Sequence, residues 1–366
     1  MLSAGTILDG RYEIVGPIGE GGMGAIYRAA RPLLGDEVAV KVMRASFDAP
    51  SDGRQRFLRE SRACAQLRHP NIVSIFDFNV DPAGQPYLVM ELLSGPSLRE
   101  ELELSAPMTP EAVAAILIPV ASALQLAHDR GITHRDLKPA NIVAHRYESG
   151  DRVYKVIDFG LVSVKSATDQ LELTEPNMFM GTMAYAAPEQ IRGDDVDPAA
   201  DIYTLGVIVY EMLTGRRPFE AENQLTLMHE TLTALPVEPG KRQPGVSPEI
   251  DAVVMRALSK DPAGRWASVT EFAKAFQTAA GATPVTVVPT SEATLLARYE
   301  LGDAIGRGRL GSTVYLGTHR ALGIRVAIRV LRRAEPARGA GAGRASAVHA
   351  RPGIARPDAQ RHRRAR

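Results

Sequence analysis

A chain of 366 residues, 45% of them hydrophobic, holds one large domain or two of ordinary size around a substantial core, so it is globular for most of its length. Its formal net charge of +1 hides an asymmetry, because from Arg332 onward ten arginines face Glu335 and Asp358 and the body before them is mildly acidic. The single cysteine, Cys64, excludes an internal disulfide and suits a reduced compartment. The start MLSAGTILDGRYEIV has no secretory pattern, and no apolar run nears the ~18 residues that span a bilayer, so a soluble cytoplasmic protein is expected.

From Tyr12 to Val42 apolar and polar residues alternate around glycine clusters and end in the β-branched run EVAVKV, which predicts a short antiparallel sheet. DGRQRFLRESRACAQLRH places Phe57, Cys64 and Leu67 at helical spacing, and strand-like NIVSIFDF and YLVMEL follow, split by the turn DPAGQ. After Leu93 the periodicity becomes mainly helical: EAVAAILIPVASALQLAHDRG, DIYTLGVIVYEMLTG closed by Gly215, EIDAVVMRALS and SVTEFAKAFQTA. The expected architecture is α+β, a small β-rich lobe with one helix followed by a larger α-helical lobe. Near Gly281 the pattern fades into GATPVTVVPTSEAT, whose Pro, Thr and small residues predict a linker.

Gly19, Gly21, Gly22 and Gly24 lie between two strand-like segments, where a dinucleotide fingerprint would need a strand and a helix. Glycine lets a backbone approach phosphates because no Cβ intervenes, although a tight hairpin without a ligand has the same composition. Lys41 ends VAVK inside an apolar strand and needs an anionic partner, since a buried uncompensated ammonium is expensive. Glu60, on the predicted helix, could supply one and help present the lysine to a nucleotide's phosphates. The plainer alternative is a lysine that reaches the strand edge.

HRDLKPAN, His134 to Asn141, is followed by DFG at Asp158 and APE at Ala187. With the glycine loop and VAVK, these motifs in this order resemble the protein-kinase superfamily over roughly residues 9 to 279. Lys138 makes the loop look like the serine/threonine branch, and RHPNIV, YLVMEL, DIYTLGVIVYEMLTGRRPF and KDPAGRW are similar to bacterial Hanks-type kinases. The resemblance implies a bilobal protein kinase fold that transfers the γ-phosphate of ATP to serine or threonine hydroxyls on proteins, its own activation segment included. Such transfer consists mainly of positioning and charge neutralisation.

The resemblance also assigns roles. Asp136 would accept and orient the substrate hydroxyl's proton, and Lys138 would steady the transferring group. Asn141 and Asp158 would hold magnesium, with manganese as an alternative. Lys41, paired with Glu60, would grip the α and β phosphates, and the amides of Gly19, Glu20, Gly21, Gly22, Met23 and Gly24 would cover the rest. Adenine would lie between Ile26 and Ala39 above and Val143 below, its edge on the backbone of Glu91 to Leu93, with Met90 as gatekeeper. Without a nucleotide these apolar residues are ordinary core.

Arg135 precedes the catalytic Asp, and in this family such an arginine usually awaits a phosphorylated residue, which bidentate pairing can hold. Of the hydroxyls between Asp158 and Glu189, Thr174 is the first candidate and Thr168 the second, while Thr182 in GTMAY matches a structural threonine. Glu189 and Arg265 match a buried ion pair, and Asp201 matches the residue that anchors the catalytic-loop backbone. Cys64 reads as a buried inert thiol, and His69 and His128 as packing or capping residues.

RYELGDAIGRGRLGSTVYLGTHRALGIRVAIRV, from residue 298 to 330, repeats RYEIVGPIGEGGMGAIYRAARPLLGDEVAVKV. Arg298, Tyr299 and Glu300 match Arg11, Tyr12 and Glu13, and Gly306, Gly308 and Gly311 match Gly19, Gly21 and Gly24. One extra residue follows Gly311, and Arg329 replaces Lys41, which is not a conservative change at a phosphate site. Without HRD, DFG or APE this copy cannot catalyse. The expected organisation is a kinase domain over 9–279, a linker over 280–297, a partial amino-terminal lobe over 298–333 and a basic disordered tail over 334–366. The copy is either a docking or dimerising element or, the favoured account, the remnant of a tandem kinase cut short by a reading-frame change. Expected partners are protein substrates and a homodimer for trans-autophosphorylation, with no specific nucleic acid and no membrane span. The competing function is a nucleotide-binding scaffold, disfavoured because Lys41, Glu60, Asp136, Asn141 and Asp158 are all present.

Overall fold

The computed structural model describes residues 2–21, 24–43, 52–81, 84–147, 150–159, 183–281, 299–307, 312–319, 325–331 and 347–352. The chain divides into two units, Met1–Ala282 and Thr283–Arg366. In the first, strands β1 (Ile7–Leu8), β2 (Tyr12–Gly21), β3 (Gly24–Arg31), β4 (Asp36–Met43), β5 (Ile75–Val80) and β6 (Pro86–Glu91) form one antiparallel sheet. Its order is β1-β2-β3-β4-β6-β5, which puts β4 inside the sheet. Val38, Val40 and Val42 pack with Tyr27 and Tyr87 on one face, and Ala39 packs with Leu88 and Met90 on the other. That two-sided burial is why EVAVKV is so rich in β-branched residues. Helix α1 (Asp52–Ala65) packs against β5 and β6.

The lower lobe contains α2 (Leu98–Ser105), α3 (Pro110–His128), the hairpin β7 (Ile142–Arg146) and β8 (Arg152–Val156), and then α4 (Pro188–Arg192) and α5 (Pro198–Thr214). It is completed by α6 (Gln224–Thr233), α7 (Pro239–Arg242), α8 (Pro248–Ala257) and α9 (Val269–Ala279). Thr109, Asp197 and Ser247 each cap a helix whose first residue is proline, so the missing N–H falls where no intrahelical bond is lost. Gly215 ends α5 in the left-handed conformation, as its place after the periodic run predicts. α5 is buried along almost all its length, and α3, α8 and α9 pack around it. At 19 residues α3 is long and apolar enough to cross a bilayer by length and composition, which corrects the expectation that no apolar segment reaches that length. Half of it is buried in the lobe, against α5 and α9.

The β7–β8 hairpin interrupts a region whose sequence reads as helical. Its strands are five residues each and carry polar side chains with internal partners, so no clean alternation announces them.

The second unit has β9 (Tyr299–Arg307), β10 (Ser312–His319), β11 (Arg325–Leu331) and β12 (Ala347–Pro352), all antiparallel in the order β12-β11-β10-β9. Its ladder repeats that of β2, β3 and β4 pair for pair. Gly306 faces Val314, which faces Arg329, as Gly19 faces Ile26 and Ile26 faces Lys41. The irregularities of β2 recur in β9. Ser312, opposite Leu331, takes the register of Gly24, opposite Met43, so no extra residue remains within β10 itself. Within the tail expected to lack structure, β12 pairs along β11. Backbone pairing satisfies the exposed edge of β11 without bulky apolar side chains, a demand that composition does not register.

Candidate active site

Gly19 and Gly21 on β2 lie opposite Ile26 and Gly24 on β3, so the glycine cluster is the tip of a hairpin. Gly22 and Met23 lie outside the described residues. Gly24 has φ +151°, and a Cβ there would run into the carbonyl oxygen of Val42, so only glycine fits. Lys41 follows two positions after Ala39 on β4, on the same face of the sheet. It is 4% exposed, and its Nζ lies 2.7 Å from Asp158 Oδ2. The anionic partner that burial of Lys41 demands is therefore supplied by Asp158. Glu60 stands on α1 one turn before Cys64. Burial, with Glu60's charge adding, pushes the Cys64 thiol up to about 12, and Cys64 Sγ donates to the Phe159 carbonyl at 3.2 Å.

Asp158 has φ +62°, a strained backbone for a non-glycine residue. Burial acts to raise its carboxyl, but the charge and hydrogen bond of Lys41, aided by His134 and Lys138, hold it below the usual carboxylate range. Its Oδ1 is buried and has no hydrogen-bond partner among the described residues. Phe159 packs against the His134 ring at 4.8 Å, and His134 Nε2 is 2.9 Å from the Ile157 carbonyl.

Asp136 is buried. Lys138 Nζ donates to its two carboxylate oxygens at 3.1 and 3.0 Å, and Asn141 Nδ2 donates to its backbone carbonyl at 2.7 Å. Beneath it the Asp201 carboxylate on α5 accepts the His134 N–H at 2.8 Å and the Arg135 N–H at 3.1 Å, as expected of an anchor for this loop. Asp201 also lies 2.7 Å from His128 Nε2, so His128 helps hold the anchor, a role its sequence position did not announce. Arg135 has φ +66°, is exposed, and has its carbonyl held by Gln190 at 2.7 Å. Arg265 meets Glu189 in a two-pronged pair at 2.6 and 2.8 Å, with both residues buried. His69 accepts the Asn71 N–H and contacts Ser122 Oγ, a capping arrangement.

Ile26 faces Lys41 across β3 and β4, Ala39 faces Met90, and Val143 bridges to Ser97, and Ile26 packs on the buried cluster that holds Ala39 and Met90. Behind Met90 a cavity about the size of one water molecule is lined by Cys64, Ile72, Leu88, Asp158 and Phe159, among others. Thr168, Thr174 and Thr182 lie outside the described residues.

Residues 12–277 match the family model described as "Protein kinase domain". Among similar proteins, the serine/threonine-protein kinase PknB of Mycobacterium leprae is 37% identical over 267 residues, 72% of this chain and 42% of the relative. Pkn1 of Myxococcus xanthus, also named a serine/threonine-protein kinase, is 41% identical over 270 residues, 74% of this chain and 38% of the relative. The chain thus spans less than half the length of these curated relatives. The crystal structure of the PknI kinase domain of Mycobacterium tuberculosis superposes with a TM-score of 0.61 at 30% identity, covering 77% of this chain and 100% of that one.

Proposed function

The chain belongs to the protein kinase family, and from that premise we propose that its first unit transfers the γ-phosphate of ATP to serine or threonine hydroxyls on proteins. Family membership implies ATP and a divalent metal. The observation that carries the reading is the convergence of Asp136, Lys138, Asn141, Lys41 and Asp158 in one cleft, with the buried Asp158 Oδ1 unpartnered among the described residues. A buried carboxylate oxygen without a donor fits a cation. Asn141 and Asp158 would hold magnesium, with manganese as the alternative, and such an ion would neutralise phosphate charge.

Asp136 orients the substrate hydroxyl and accepts its proton, while Lys138, already on that carboxylate, balances charge beside the transferring group. Lys41, paired with Glu60 once nucleotide is bound, would grip the α and β phosphates, and the amides from Gly19 to Gly24 would cover the rest. Ile26, Ala39 and Val143 sandwich adenine, and Glu91 to Leu93 meet its edge. The test is incorporation of labelled phosphate by the purified chain with ATP and magnesium, beside Asp136→Asn and Lys41→Met. Incorporation by the wild type alone supports the reading, and its absence while nucleotide still binds favours a scaffold.

Autophosphorylation at Thr174 or Thr168 and a homodimer that performs it in trans belong to the same proposal, as do protein substrates and a cytoplasmic location. We assign residues 9–279 to the kinase domain, 280–297 to a linker, 298–333 to a partial kinase amino-terminal lobe and 334–366 to a basic tail. The shared register of the two ladders supports the repeat. Translating the downstream DNA in other frames tests its origin, because the absence of large-lobe motifs from all of them would sink the remnant account.

A further inference from the structure

The segment that follows Met90 carries a buried polar cluster that none of the assigned roles uses. Lys155 on β8 is 3% exposed, and its Nζ lies 2.9 Å from Glu91 Oε2, an oxygen that also accepts the Ser74 N–H at 3.2 Å. His145 on β7 is also buried. Its Nδ1 accepts the Ser94 N–H at 3.0 Å, and its Nε2 faces Glu91 Oε1 at 3.9 Å. The Tyr147 ring closes the cluster, 4.5 Å from the His145 ring and 5.8 Å from Lys155 Nζ. The backbone continues the fastening: Arg146 N donates to Ser94 O, Ala144 N to Pro96 O, and Ser94 Oγ to Arg146 O. Gly95, at φ +132°, lies so close to the Ala144 carbonyl that a Cβ would collide with it.

We infer that His145 and Lys155 are positioning residues for the nucleotide: from the two strands of one hairpin they fix both ends of the segment Glu91–Ser94, on whose backbone adenine is read. This rests on the function proposed above, which places adenine there. Lys155 holds the Glu91 side chain, and His145 holds the Ser94 amide, so Leu92 and Leu93 are suspended between two buried attachments. A misplaced backbone edge weakens nucleotide binding without touching the residues that transfer phosphate.

The chemistry of His145 makes the device pH-dependent. To accept the Ser94 N–H its Nδ1 must be unprotonated, which puts the ring proton on Nε2, toward Glu91. Protonation at Nδ1 ends that acceptance. The groups facing the ring are Glu91 from β6, Lys155 from β8 and Tyr147 beyond β7. Burial lowers the His145 pKa most, Glu91 raises it and Lys155 lowers it, with a net position below the ordinary 6.5. Above that range the attachment is intact, and it is lost as pH falls through the lowered value.

The experiment uses the full chain and measures the dissociation constant of magnesium ADP by calorimetry, kcat at saturating ATP, and hydrogen exchange at the Ser94 amide. His145→Phe removes the acceptor and is expected to weaken ADP about five-fold, the worth of one hydrogen bond, while kcat stays within about two-fold. His145→Asn keeps an acceptor near Nδ1 that does not titrate, so it should bind like wild type at about pH 7.5 and protect Ser94 equally. Lowering the pH through the range below 6.5 should then weaken wild type relative to His145→Asn, a comparison that cancels titration of the nucleotide's own phosphates. His145→Phe with wild-type affinity and Ser94 protection overturns the inference, as do parallel pH profiles for wild type and His145→Asn. A wild-type chain that binds no ADP fails the proposed function instead, and Ser94 exchange still judges the attachment.

Discussion

Lys41 Nζ and Asp158 Oδ2 meet at 2.7 Å in the buried cleft, joining the centre of the β-sheet to the start of the DFG segment. The pair spans the two lobes, so each residue neutralises a charge the other lobe has buried. Removing one partner leaves the other uncompensated, which is more damaging than losing the attraction itself.

The first prediction follows from that pair. Lys41→Met should lower kcat/KM by about 10²-fold or more, the scale of losing one preorganised charge contact. It should also change the acid limb of stability. The folded Asp158 carboxyl lies below its ordinary 3.8, so its contribution is present above that value and is lost as pH falls through the lower folded value. Without Lys41, burial dominates and the sign reverses. Urea midpoints between about pH 3 and pH 6 should therefore fall less steeply in the variant than in wild type. Parallel slopes would show that Lys41 does not set the Asp158 charge.

Asp201 supports a second prediction. Its carboxylate takes the His134 and Arg135 amides and lies against His128. Asp201→Ala orphans the buried His134 amide and the half-buried Arg135 amide and should cost about 2 to 4 kcal/mol, with activity falling because Asp136 loses its footing. His128→Phe removes only one partner. Equal destabilisation of the two variants by thermal melting would contradict the idea that the amides carry most of the effect.

The third concerns Glu189 and Arg265. Arg265 also donates to the carbonyls of Ser259, Lys260 and Ala199, so it ties two further segments to the pair. Glu189→Gln or Arg265→Met should destabilise by roughly 3 to 5 kcal/mol, seen as a lower urea midpoint or insoluble protein, and activity should fall with the folded fraction. A folded variant with normal stability and no activity would give the pair a direct role in the chemistry.

Much of this site was legible because its residues carry their chemistry in short contiguous motifs: HRDLKPAN, DFG and VAVK each bring their own spacing. The supporting contacts are of another kind. Lys155 finds Glu91 across 64 positions, and His128 finds Asp201 across 73, so neither partner is implied by local pattern. The β7–β8 hairpin has no sequence signature for a related reason, since Lys155 and His145 occupy buried strand positions that a period-2 pattern assigns to apolar residues. Polar side chains satisfied only in the tertiary structure look, in sequence, like surface. β12 shows the opposite limit, a strand whose pairing is made by the backbone alone.

Gly206 provides a fourth test. A Cβ on this α5 residue would stand 2.9 Å from Ala257 Cβ on α8, so the two helices touch at a place with no room for a side chain. Gly206→Val should cost about 1 to 3 kcal/mol by overpacking. Combining it with Ala257→Gly should restore part of the loss in thermal melts, because the two sites share one contact. An additive double variant would mean that the strain is relieved elsewhere.

Cys64 gives the last. Its thiol is 5% exposed, donates to the Phe159 carbonyl, and is pushed up to about 12 by burial with help from Glu60. At about pH 8 only one thiol in about 10⁴ would be ionised even if reagents could reach it, and the thiolate is the reactive form. Iodoacetamide should therefore modify the native protein only as fast as α1 opens away from Phe159, and should react at the rate of an ordinary free cysteine after urea unfolding. Mass spectrometry of timed samples measures both rates. Because the thiol hydrogen bond closes on the residue after Asp158, any ligand that draws Asp158 away from Lys41 disturbs the same contact. Magnesium ADP should then change the native labelling rate in wild type and leave the unfolded rate alone. Fast labelling of the native chain, indifferent to nucleotide, would place Cys64 at an accessible surface and refute its burial against the DFG segment.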